Sequence, residues 1–369
     1  MPPADADPNS LDVRGKTETY SLTVRHAENV TIRDLHFFGT TLRMEHCIRC
    51  NVSDSNFYYP SYSKRMLGVV DRPPDTTLFS QSRSGVVRRC AFLYTDGIAL
   101  KMSKDDMMVD DCYFYHIDES VADNEGIQTS IFLDGVGNTV RRSVMHLLGA
   151  SATINPGKAA VVELNDIYDT GKLQSDGAIS QMMVAQQPNA TVRYNWFHDT
   201  PKYGARFDGN GDGNRGTMHH NVIWNCGKGL MVKGFQHGVY ANTAFDNTNG
   251  VDGNDIIIMV EQGGNNGTVT RNNAADRISG HRALNVSVPG TYDHNWNGWE
   301  TGLSVVSQLT DPYGLSGLRD FRPKAGSALI DAAVVIPGIH DKYNGASPDV
   351  GAYEHGEAMW TPGTTWDVN

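Results

Sequence analysis

Arg206, Asp208, Lys233 and Glu261 occupy comparable places in three short stretches, KYGARFD, KGLMVK and NDIIIMVE. Together with TDGIALK and SDGAISQ these read as strands, most of them opened by a glycine (Gly97, Gly177, Gly204, Gly229). Alternate strand side chains face the same way. Ile98 and Leu100, Ala205 and Phe207, Leu230 and Val232, and Ile256, Ile258 and Val260 form an inner set. Lys101, Gln181, Arg206 with Asp208, Met231 with Lys233, and Met259 with Glu261 form the outer one. Neighbouring strands lie about 4.8 Å apart, so Asp208, Lys233 and Glu261 are expected as a vertical stack of acid, base and acid. A solvated charge ladder, worth about a few tenths of a kcal/mol per pair, is the plain alternative. Asp176, Tyr203, Lys228, His219 and His237 fall nearby in the chain and favour a site.

The segment DGNGDGNRG follows the first of these strands. Asp208, Asn210, Asp212 and Gly213 match the start of a calcium loop, in which hard oxygens at alternate positions surround the ion. The glutamate of an EF-hand is missing, because position 219 is His219. What remains is a generic Ca2+ loop or a plain glycine-rich turn, and the sequence leaves both open. His219 and His220 are adjacent on a strand and should face opposite sides, one toward the core and one toward the groove. No G-x-S-x-G elbow, P-loop or H-E-x-x-H occurs, which counts against serine hydrolase, nucleotide and zinc-protease chemistry.

A repeated phrase must position these residues. VVELNDIYDT, TVRYNWFHDT, TMHHNVIWNC, GVYANTAFDN, TVTRNNAADR and TYDHNWNGWE place Asn165, Asn195, Asn221, Asn242, Asn272 and Asn295 alike. A period of 20 to 30 residues with insertions marks a solenoid. The apolar and polar alternation before each asparagine predicts a strand entering a tight turn. The expected fold is all-β, a single-stranded right-handed parallel β-helix whose coils bury their apolar faces against one another. Asparagine amides inside the turns would bond to the next coil, as buried polar groups must. The same position continues upstream as Ser143, Cys112, Cys90, Ser55 and Leu35, giving about eleven coils. Two residues on, Phe37, Phe57, Phe92, Phe114, Met145, Ile167, Phe197 and Ile223 form a core column.

Composition agrees with this reading. Glycine is abundant (38 of 369) and aromatics are 9%, which suits many turns and short strands. The net charge of −11 argues against a nucleic-acid partner. No apolar run is long enough for a membrane span, and MPPADADPNS lacks a signal-peptide core, so any export signal is expected to have been removed. Five cysteines support neither a disulfide framework nor a metal knuckle, and Cys47-x-x-Cys50 reads as packing. Loops between coils are where binding residues gather. One of them, with Tyr58, Tyr59, Tyr62, Lys64 and Arg65, is either a sugar-stacking wall or a cap.

After Asn295 the repeat fades into DFRPKAGSALIDA and PDVGAYEHG. This tail resembles the C-terminal element of secreted bacterial β-helix proteins, which implies export. Residues 1–317 are expected as the solenoid and 318–369 as a closing segment packed on it. In architecture the chain resembles the carbohydrate-active β-helix enzymes, which include pectate-lyase-like and alginate-lyase-like polysaccharide lyases and several glycoside hydrolase families. That resemblance implies a secreted or periplasmic protein with a polysaccharide or oligosaccharide substrate, and a monomer is expected.

As a lyase, Arg206 and Lys233 would neutralise a uronate carboxylate or act as base, His219 or Tyr203 would donate a proton, and the Asp208–Asp212 loop would hold calcium. Lys233 between two carboxylates would keep its proton and make a poor base. As a hydrolase, Asp208 and Glu261 would lie roughly 9 to 10 Å apart, which suits inversion, with Asp176 as a third carboxylate. Asp176, Gln181, Tyr203, Lys228 and His237 would bind substrate in either case. A non-catalytic glycan-binding solenoid would show aromatic platforms without an ionisable cluster.

Overall fold

The computed structural model describes residues 7–10, 17–61, 76–118, 129–150, 152–174, 176–209, 211–247, 253–261 and 264–367. Each coil but the last contributes three short strands. A leading strand, such as Thr191–Arg193, precedes the asparagine position, a middle strand follows it, and a trailing strand closes the coil. The eleven leading strands, from Thr31–Arg33 to Thr291–Asp293, form one parallel sheet, in agreement with the eleven coils expected. Middle and trailing strands run together in two coils, as Trp196–Phe207 and Val222–Val232, and are thereby joined into a twenty-stranded sheet. No helix among the described residues is long and apolar enough to cross a membrane.

The corner after each leading strand explains the repeat. Asp34, Asp54, Arg89, Asp111, Arg142, Leu164, Tyr194, His220, Ala241, Asn272 and His294 all adopt left-handed φ values between 46° and 60°. A non-glycine residue in that region costs of order 1–3 kcal/mol. In ten of these corners the next residue points inward and offsets this cost with side-chain hydrogen bonds; in the first, Leu35 is exposed instead. Asn195 Nδ2 donates to Val162 O on the preceding coil at 2.9 Å, while Asn221 Oδ1 accepts from both Asn195 N and Asn195 Nδ2. Asn165, Asn242 and Asn295 continue the same ladder.

Asn272 is a correction. The ladder member of its coil is Asn273, whose Oδ1 accepts from Asn242 N and Nδ2. Asn272 occupies the left-handed corner instead, because Tyr240 pairs with Arg271 and the inward position falls two residues later. Its amide grips the C-terminal segment, donating to Val334 O and accepting from Val334 N.

Phe37, Phe57, Phe92 and Phe114 stack face to face at 4.7 to 4.9 Å in the core, as expected of that column. The five thiols are free and buried, Cys47 and Cys50 included, which agrees with a packing role.

The outer faces of the middle strands of the later coils carry Val222, Trp224, Phe245 and Ala274, and these are covered by Phe321, Leu329, Val350, Ala352 and Tyr353. The antiparallel pair Leu309–Asp311 with Asp320–Pro323 belongs to this cover and straddles the 317/318 division. The chain then runs back along the coils. Gly363 N donates to Leu164 O, and Thr365 and Trp366 bond to Asp111.

Candidate functional site

The trailing strands bring together most of the expected outer residues. Gln181 pairs with Arg206 and Arg206 with Met231 across three coils, so the three point outward in register. Arg206 donates through Nε to Gln181 Oε1 (2.8 Å) and through Nη1 to Asp176 Oδ1 (3.3 Å), and its Nη2 forms an ion pair with Asp208 Oδ2 (2.9 Å). Lys233 Nζ reaches Asp208 Oδ1 at 2.6 Å, and Gln181 Nε2 donates to Asp208 Oδ2. The Arg206, Asp208 and Lys233 side chains are only 7 to 14% exposed, whereas that of Asp176 is 72% exposed.

Electrostatics follow from this arrangement. Burial alone would raise the Asp208 carboxyl, but the Lys233 hydrogen bond and the Arg206 charge outweigh it and hold the group below the ordinary carboxylate range. Half-buried Tyr203 lies between Arg206 (5.2 Å to its ring) and Lys228 (5.7 Å). Burial raises its phenol above the ordinary value, against the opposing charges of Arg282 and Arg206. The phenol therefore stays protonated.

Glu261 does not join the stack. Val232 pairs with Ile258, so the rung beyond Lys233 is held by Met259, and Glu261 lies exposed past the end of the Ile256–Ile258 strand. Val260, expected inside, is 39% exposed. The stretch has no opening glycine to fix its start, and a shift of two residues preserves the alternation. The carboxylate pair needed for Asp208–Glu261 hydrolysis is accordingly absent.

His219 is elsewhere as well. It ends a leading strand, and the left-handed turn at His220 swings the second ring back so that the two Nδ1 atoms sit 2.9 Å apart. Both rings line a cavity of about 360 Å³ with Arg193, Tyr194, Tyr353 and Glu354, beneath the C-terminal segment. Burial pushes His219 down to about 3, so it is neutral and unsuited to donate a proton to a substrate. The opposite facing expected of the pair fails because strand alternation stops at the corner.

His237 is a bracket rather than a substrate ligand. Its Nδ1 accepts from Gly216 N, its Nε2 donates to Lys233 O, and the ring is 1% exposed. Burial lowers it to about 4. Its contribution is to hold the Lys233 backbone.

The oxygens expected to hold calcium are not gathered. Both Asp208 oxygens are engaged by Lys233, Arg206 and Gln181, Asp212 is exposed, and Asn210 lies outside the described residues. Gly213 packs against the Gln187 side chain, whose Nε2 donates to Asp208 O, so the loop is tied down by protein groups. Among the described residues no three His, Cys, Asp or Glu side chains are grouped to hold a metal ion. The donor set as arranged does not fit Ca2+.

Lys202 escaped the sequence reading. It is 4% exposed, its stem crosses Gly171, and its Nζ donates to Asp176 O at 2.6 Å. Burial pulls the amine down to about 8. It sits where the middle and trailing strands fuse, ahead of the glycine from which the pattern is counted; the unbroken run from Trp196 was the missed signal.

Among the described residues the aromatics of the neighbouring face form no open platform. His146, Tyr168, His198 and Trp224 stack on one another at 4.0 to 4.8 Å with nearly parallel planes, so their faces are consumed by each other. Of the tyrosine loop, Tyr59 stacks on Tyr94, while Tyr62, Lys64 and Arg65 lie outside the described residues.

The family model described as "Right handed beta helix region" matches residues 16–256, more than half of the chain. The chain belongs to this right-handed β-helix family. Among solved structures this β-helix protein is similar to pectate lyase Pel9A, at 15% identity over 85% of this chain and 77% of that one, with a TM-score of 0.49. It is also similar to alginate lyase AlyF-OU02 in complex with G6 (10% identity, 68% and 67% covered, TM-score 0.41). A PL6 alginate lyase complexed with a trisaccharide gives 10% identity, 79% of each chain and a TM-score of 0.39. No curated protein matches the β-helix chain in sequence.

Proposed function

We propose that the protein is a polysaccharide lyase that cleaves an acidic, uronate-containing glycan by β-elimination on the trailing sheet, acting outside the cytoplasm as a monomer. The observation that carries this reading is the contact of Asp176 with Arg206 Nη1. An exposed carboxylate already docks on a buried guanidinium that Asp208 and Gln181 hold in place. A uronate carboxylate exchanging with Asp176 would meet the same donor, with Lys228 and Tyr203 on the open side.

In this reading Lys233 is a fixed positive charge, because its ammonium is committed to Asp208 at 2.6 Å. The proton next to the carboxylate passes to the Lys228 amine, which lies over the Tyr203 ring. The C–H electron pair becomes the new C=C bond, the neighbouring C–O bond breaks, and the leaving oxygen takes the proton of Tyr203. Solvent then returns a proton to Tyr203 and removes one from Lys228. The raised phenol supports the donor role, since Tyr203 remains protonated at neutral pH.

The test is a screen on polyuronates, read both by ultraviolet absorbance of the unsaturated product and by reducing ends. Both signals should rise together, and Tyr203→Phe and Lys228→Gln should each remove them while the fold persists. Reducing ends without absorbance would overturn the elimination.

A further inference from the structure

The outward position that contains Arg206 changes character along the solenoid. Lys101 is exposed, Phe132 and Asn155 are half-buried, and Gln181 and Arg206 are buried. Beyond them Met231 and Ile257 are fully covered. Two features close that downstream end. Met231, Ile257 and Met259 form an apolar cluster against Tyr203. The turn over 279–286 then folds back on the sheet: Ser279 Oγ accepts from His281 N and Val286 N, Gly280 N donates to Val286 O, and Val260 N donates to Gly280 O. This turn carries Arg282, whose charge acts on the Tyr203 phenol. Upstream the floor stays polar, with Asn155 bonded to Gln186 and the Lys101 ammonium over the Phe132 ring at 5.4 Å.

Resting on the lyase reading above, we propose that the groove is one-ended, so that a uronate chain enters over the Lys101 to Gln181 coils and presents its terminus at Tyr203. The enzyme then removes short units from a chain end. Four coil steps of about 4.8 Å place Lys101 roughly 19 Å from Arg206, where it binds a second uronate carboxylate of the same chain. Among the described residues the apolar cluster and the 279–286 turn cover the outward face downstream of Arg206.

The experiment follows a polyuronate digest by size-exclusion chromatography and ultraviolet absorbance together. Small unsaturated product accumulating while the bulk polymer keeps its mass is the expected result. Collapse of polymer mass before small product appears would overturn the one-ended groove and leave β-elimination standing. No unsaturated product from any polyuronate would overturn the lyase reading and this inference with it. Lys101→Ala should raise KM about 3- to 5-fold for polymer and long oligomers, as expected of one exposed ion pair, and leave a disaccharide or trisaccharide unchanged. An equal change at all lengths, or none, would remove Lys101 from the binding track.

Discussion

Lys233 Nζ lies 2.6 Å from Asp208 Oδ1 while Arg206 Nη2 lies 2.9 Å from Oδ2, so a single carboxylate from one coil holds cations from its own strand and the next. Removing it takes the carboxylate from Lys233 and leaves Arg206 with only Gln181 and the exposed Asp176, and breaking a buried ion pair from one side costs about 3–5 kcal/mol. Asp208→Asn is expected to lose about that much stability in urea unfolding and to lose turnover as well. A change within about 0.5 kcal/mol would mean that water reaches both cations.

Acid should act through the same carboxylate. The folded Asp208 is held below its ordinary value of about 3.9. Its contribution to stability is thus complete above that value and is lost as pH falls through the lower, folded one. Thermal midpoints of the wild type should therefore drop more steeply below about pH 4 than those of Asp208→Asn. Parallel acid limbs for the two proteins would remove Asp208 as a source of acid sensitivity.

The fold was legible because each corner demands the same thing of the chain. A left-handed residue followed by an inward small or amide side chain recurs with every coil after the first, where Leu35 is exposed, and that pairing survives where the intervening loops vary in length. Arg206, Asp208 and Gln181 were legible because an opening glycine marks where alternation begins. Glu261 was misplaced where no glycine marks the start. His219 and His220 were misread because the corner ends the strand between them, and Lys202 was passed over because it precedes the counted glycine. Pattern of period two carries facing but not register.

Asn195 and Asn272 share a letter but not a place in the repeat, since Asn272 holds the corner that Tyr194 holds in the earlier coil. Asn195→Ala removes the Nδ2 bonds to Val162 O and Asn221 Oδ1 and the Oδ1 that accepts from Asn165 N and Nδ2 in the core of the ladder. An unsatisfied buried group costs about 1–3 kcal/mol, and a loss of at least that size is expected in urea unfolding. Asn272→Ala loses only its clasp on Val334. Limited proteolysis should reveal earlier cutting in the C-terminal segment, with the coils intact. Equal global destabilisation by the two variants would contradict the assignment of Asn273 as the ladder member.

Lys202 gives the alkaline counterpart. Its amine is buried over Gly171 with one carbonyl partner, and burial brings it down to about 8, against an unfolded value of about 10.4. Between these values the unfolded chain binds more protons than the folded one, so this group's contribution to stability rises with pH across that window. Below about pH 8 the penalty of a charged buried amine is fully present. Lys202→Met keeps the stem over Gly171 and removes the charge, so it should be more stable than the wild type at neutral pH, with the gap closing by about pH 10. Gly171→Ala, whose added methyl would collide with the Lys202 stem, should destabilise the wild type. A gap between wild type and Lys202→Met that stays constant with pH would show that the amine remains charged in the fold.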